Sequence, residues 1–259
     1  MALIASIALI ASMADSPDCP MALITSNCGC WWLTFGCPGN GLLQHDMVER
    51  FLLYFFTQSA HANTRGTWTT PESASIDRTH GAISFSAAGV NNVPLCIKWM
   101  HVFEEPETHT LWLAKATPRD WLAPGEAPLV IKRATTRYGR VSFSLTVSTA
   151  AETAEDTGGS PKLVVRANLT VPAGFAEAGP AGGLRLRLRA PLAHAGRLGS
   201  VTVGGKPWVV NRTAETVDFT AAQVRVYKCL QRQQKPGLLP RSLEGPADVC
   251  QPVLASAWM

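Results

Sequence analysis

At 259 residues, with 46% hydrophobic and 16% charged side chains, the chain can bury one or two real cores and is too apolar to be disordered. Its formal net charge of +4 is too small to name a polyanionic partner. Its seven cysteines show neither a C-x-x-C nor a Cys/His spacing suited to zinc, so no metal and no cofactor is expected, and their odd count fits reduced thiols or a few incidental bridges better than a stapled secreted domain.

Residues 2–13 (ALIASIALIASM) are almost wholly apolar. They read either as a buried helix or as a signal peptide ending near Ser12-Met13-Ala14 but lacking the usual basic start. In the second case residues 1–14 are removed and the protein is secreted. The run is too short to span a bilayer, and no transmembrane segment is expected. Leu42 to Phe56 predicts one helix, opening after the turn signal Pro38-Gly-Asn-Gly41. Its polar residues His45, Asp46, Glu49 and Arg50 share one face, and the rest is so apolar that it must pack on other helices or a sheet. Asp46 and Arg50 are spaced to pair at i, i+4; the alternative is a catalytic role for Asp46 or Glu49.

The segment Arg65–Ser73 (Arg-Gly-Thr-Trp-Thr-Thr-Pro-Glu-Ser) concentrates the most site-like chemistry. On a loop punctuated by Gly and Pro, Trp68 can stack on a pyranose face and Arg65 can fork onto hydroxyls or a carboxylate. Glu72 can hold or protonate an oxygen. Arg65 and Trp68 are therefore candidate carbohydrate-binding residues and Glu72 the candidate catalytic acid. The alternative is a tight connector whose Trp68 plugs a domain junction.

From about Val93 the hydrophobic period changes to two. Cys96–Phe103 and Thr110–Ala116 predict strands on either side of the acidic turn Glu104–Glu107. Val141, Phe143, Leu145 and Val147 alternate with polar residues, as do Leu163, Val165, Ala167, Leu169 and Val171. Leu184, Leu186 and Leu188 alternate with Arg185, Arg187 and Arg189, which places the arginines on the wet face. Val201–Val210 predicts a hairpin with a Gly-Gly turn, and residues 150–160 a surface loop. The fold class expected is α+β: a helical portion over 1–90, an antiparallel β-sandwich over 91–226, and an irregular or disordered tail over 227–259.

Between Glu177 and Glu215 lie six basic residues and no acid. No aromatic interleaves the arginine ladder, so no nucleic-acid partner is expected, and the arginines read as cover for the sheet. Two sequons are present, Asn168-Leu-Thr170 and Asn211-Arg-Thr213. The alternation puts Asn168 on the outward face, where modification fits if the chain is secreted.

The succession Leu111-Trp-Leu-Ala-Lys-Ala-Thr-Pro-Arg-Asp-Trp121, followed by Ala134-Thr-Thr-Arg-Tyr-Gly-Arg-Val-Ser-Phe143, resembles the C-terminal region of large proteins related to the six-hairpin glycosidases. Trp112, Pro118, Trp121, Arg137, Tyr138 and Gly139 are its most telling residues, and the likeness runs over roughly 30–225. It implies the end of a helical toroid followed by a β-sandwich, and a glycoside hydrolase-like protein that acts on or binds carbohydrate. Such hydrolases set two carboxylates about the scissile bond. Glu72 is one nominee, and no partner for it is legible here, so the isolated chain is expected to be inactive. Two other readings stay open: a non-catalytic carbohydrate-binding or scaffold module, in which Trp112, Trp121 or Trp208 would line a sheet face, and a truncated gene product without independent function.

Overall fold

The computed structural model describes residues 38–61, 87–149, 163–172, 174–220, 223 and 253–258. The chain divides into two compact units, residues 1–100 and 101–259. The fold is α+β, with a short helical N-terminal part followed by strands.

In the first unit, α1 (Pro38–Gln44) and α2 (Val48–His61) replace the single helix expected over Leu42–Phe56. The break is a left-handed helix ending. Asp46 takes φ 56°, the Met47 N–H donates to Leu42 O at 2.7 Å, and the Asp46 N–H donates to Leu43 O at 3.1 Å. These two bonds satisfy carbonyls that a helix end otherwise leaves open, which is why a short polar residue ends α1 here. His45, Asp46, Glu49 and Arg50 are all exposed, while Phe51, Tyr54 and Phe55 are buried. The face deduced from the sequence therefore survives the break.

α3 (Ala87–His101) overturns the strand expected over Cys96–Phe103 as far as His101. Asn92, Cys96 and Met100 are buried at intervals of four, whereas Leu95 and Ile97 are exposed. That is a helical stripe, not an alternation. Asn92 Nδ2 donates to the Tyr54 hydroxyl at 2.9 Å, and Cys96 Sγ to Asn92 Oδ1 at 3.5 Å, tying α3 to α2.

The second unit is built from two sheets. The five-stranded sheet has the order β1 (Val102–Glu105), β2 (Thr110–Leu113), β6 (Leu184–Arg187), β10 (Thr216–Phe219), β9 (Val210–Asn211). The six-stranded sheet runs β3 (Leu129–Thr136), β4 (Gly139–Thr149), β5 (Leu163–Thr170), β11 (Val253–Trp258), β7 (Val201–Val203), β8 (Lys206–Trp208). All pairings are antiparallel except one, in which β2 runs parallel to β6. Leu111, Leu113, Leu184, Leu186 and Val217 from one sheet meet Val141, Phe143, Leu145, Val165, Leu169 and Val203 from the other in a single core. This is the inter-sheet packing of a sandwich.

Local chemistry sets the boundaries. β2 stops at Leu113 because Ala114 turns to φ 54° and gives its N–H to His101 O. Gly204 and Gly205, at φ 56° and 78°, make the two-residue turn of the β7–β8 hairpin, as their sequence predicts. At the β3–β4 turn Gly139 has φ 102°, and a Cβ there would lie 2.8 Å from Pro172, so only glycine fits. Within the stretch 227–259, where no period is legible, Val253–Trp258 forms β11 and pairs with both β5 and β7. No helix among the described residues is long and apolar enough to cross a membrane.

Candidate functional site

Arg65, Trp68 and Glu72 lie outside the described residues. In the second unit the structure gathers polar and aromatic chemistry in two places.

The first surrounds Trp112 on β2. Register sets Trp112 opposite Phe103 on β1 and Arg185 on β6. Its indole N–H donates to Glu105 Oε2 at 2.9 Å, and the same oxygen accepts from Thr108 Oγ1 at 2.8 Å. Three cations approach the ring: Lys115 Nζ at 3.9 Å from the centroid, Arg187 at 4.9 Å and Arg185 at 5.1 Å. Lys115 is 1% exposed and also stands 5.0 Å from the Phe103 ring. An indole face is the best aromatic seat for a cation, and removal from water strengthens the attraction.

The arginine ladder is therefore not the solvated face that alternation predicts. Arg185 is half-buried, but Arg187 and Arg189 are buried. Arg187 donates to Ala214 O at 3.1 Å and Lys115 O at 3.4 Å, and Arg189 to Thr117 O at 2.8 Å. The alternation itself holds, with Leu184, Leu186 and Leu188 in the core, but the arginine face is covered by Trp112 and by the chain at 115–117 and 214 rather than by water. Carbonyls of the 115–117 and 214 turns accept the guanidinium donors there, so burial does not leave them orphaned.

The second place is a short 3₁₀ turn, Arg119–Leu122, entered through Pro118. Arg119 grips Glu215 in a fork, Nη1 to Oε1 at 3.0 Å and Nη2 to Oε2 at 2.8 Å, and Nη1 also donates to Ala190 O at 2.7 Å. Glu215 Oε1 accepts from the Gly196 N–H at 2.9 Å. Burial raises the Glu215 carboxyl, but the Arg119 and Gly196 hydrogen bonds and the charges of Arg119 and Arg189 outweigh it and hold it below the ordinary carboxylate range. An acid so engaged is a tether, not a proton donor.

That tether fixes the turn on which Trp121 stands. Trp121 is 40% exposed, and the buried His101 ring stacks against it at 5.9 Å between centroids with 29° between planes. His101 Nδ1 lies 3.4 Å from Thr117 Oγ1, and burial lowers its pKa from 6.5 to about 4. It is thus a neutral backing plate at neutral pH. The exposed carboxylate of Asp120 adjoins the indole in sequence. An aromatic ring braced on one face and open to solvent is chemically suited to stack on the apolar face of a sugar ring.

The three tryptophans do not form a row. Trp112 is buried, and Trp208 is half-buried with its N–H given to Asp218 O at 3.1 Å and its ring 5.6 Å from Phe219. Trp121 alone of the three is exposed. Among the described residues no group of His, Cys, Asp and Glu is placed to hold a metal ion. His101, Lys115, Arg119 and Glu215 are invisible to motif reading, since their partners lie up to 96 positions away. The one available signal was the unbroken string from Trp112 to Trp121, which contains Lys115, Arg119 and Asp120.

No family model, no curated protein and no solved structure matches this chain.

Proposed function

We propose that this chain is the C-terminal part of a protein like the six-hairpin glycosidases, and that its sandwich binds carbohydrate without cleaving it alone. The observation that carries this reading is Trp121, an exposed indole backed by a buried, uncharged His101 on a turn clamped by Arg119 and Glu215. A rigid, pre-placed aromatic loses little entropy on binding, and it suits a ligand that offers weak, distributed contacts. On this reading Arg65 and Trp68 hold the sugar at a second place and Glu72 is one carboxylate of a hydrolytic pair. No second carboxylate is paired with it, so on this reading the chain alone turns over no glycoside.

The test is calorimetric titration of the whole chain with a panel of soluble polysaccharides and their oligomers. Binding by the intact chain is expected, weakened roughly tenfold by Trp121→Ala, about 1.4 kcal/mol, and largely kept by Trp121→Phe. Silence across the panel, or an undiminished affinity in Trp121→Ala, removes the reading. Silence would favour a scaffold module instead, which the burial of Trp112 already suits.

A further inference from the structure

The two sequons stand in opposite structural situations. Asn168 lies on β5, between β4 and β11 in the interior of the six-stranded sheet. It is half-buried, its Nδ2 donates to Ser144 Oγ at 3.3 Å, and its Oδ1 is buried with no hydrogen-bond partner among the described residues. Its neighbour Leu169 is part of the core. Asn211 lies on β9, the terminal strand of the five-stranded sheet, which among the described strands pairs only with β10. Asn211, Arg212 and Thr213 are all exposed. Asn211 Oδ1 accepts the Ala214 N–H at 3.0 Å, which orients the amide and leaves Nδ2 as the outward nitrogen.

We propose that Asn211 is an N-glycosylation site and that Asn168 is not. The reaction forms a bond from Asn211 Nδ2 to the anomeric carbon of a polyprenyl-diphosphate-linked oligosaccharide and breaks the bond from that carbon to the diphosphate oxygen. The polyprenyl diphosphate leaves with the bonding pair, and Nδ2 loses one proton to solvent. No redox change occurs. Thr213 supplies the hydroxyl that the acceptor triplet requires. Whether transfer precedes or follows folding, the finished fold leaves a glycan at Asn211 in water at a sheet edge. A glycan at Asn168 would have to leave from a half-buried amide whose oxygen is sealed and whose nitrogen is tied to β4. The site is independent of the carbohydrate-binding reading, since it concerns sugar attached to the protein rather than sugar bound by it.

The experiment expresses the whole chain behind a cleavable leader in a eukaryotic secretory host and reads intact mass with and without peptide-N-glycosidase, on cellular and secreted pools together. One enzyme-sensitive glycan is expected on the wild type and on Asn168→Gln. None is expected on Asn211→Gln or Thr213→Ala, and Thr213→Ser restores it. Peptide mapping should find the Asn-to-Asp conversion left by the enzyme at position 211. A bare wild-type chain, or a glycan at Asn168, overturns the assignment.

Discussion

Burial alone would push the Glu215 carboxyl up; its two bonds from Arg119 and one from Gly196 pull it down further than burial raises it. Because the folded value lies below the unfolded one, its stabilisation is present above the unfolded carboxylate range and is lost as pH falls through the folded value. His101 acts in the same direction by another route. It is neutral when folded down to about pH 4, whereas unfolded it takes a proton near 6.5. Between those values the unfolded state binds more protons, so stability falls as pH drops from about 6.5 to about 4 and levels off below, a loss of about 3 kcal/mol. Urea unfolding measured across that window should show the slope in the wild type and a flatter curve in His101→Gln. Glu215→Gln should cost about 3 kcal/mol at pH 7, because it leaves a largely buried Arg119 without its counter-charge. On the proposed carbohydrate reading, the same variant also weakens sugar binding, since it frees the turn that holds Trp121. An unchanged affinity in folded Glu215→Gln would separate the clamp from the platform.

Among the elements, legibility follows how strictly a segment is held to one period. β4 and β5 are long and half-buried, so Val141, Phe143 and Leu145, and Leu163, Val165 and Leu169, announce themselves by alternation. The Gly204-Gly205 hairpin is equally plain, because only positive φ closes so short a turn. Cys96–His101 is not, since its short run of apolar residues satisfies a strand template and a helical one alike, and only the packing of Asn92, Cys96 and Met100 decides. The arginine ladder misleads because carbonyl acceptors on distant turns make burial of Arg187 and Arg189 affordable. Of the candidate site, Trp121 stands in the quoted string, but His101 behind it and Glu215 beneath it are joined to it only by the fold. β11 is the element least foreseen. Removing residues 253–259 should strip β5 and β7 of their shared neighbour and abolish the cooperative melt, read by circular dichroism at the β-sheet minimum.

For the whole molecule, the two units differ in what they need. The sandwich has a core drawn from both of its sheets, entirely within residues 101–259. Expressed alone, residues 101–259 should give a soluble β-sheet spectrum and a single thermal transition; an aggregated or unstructured product would show that the helical unit is required for it to fold. The place of β11 also orders events in time. It is the last described strand in the chain, yet it sits inside its sheet rather than at a rim. During synthesis β4 and β5 emerge before β7, and one flank of each of β5 and β7 stays open until β11 has followed them. Until then the nascent chain presents two bare hydrogen-bonding edges, each a template for pairing with another chain.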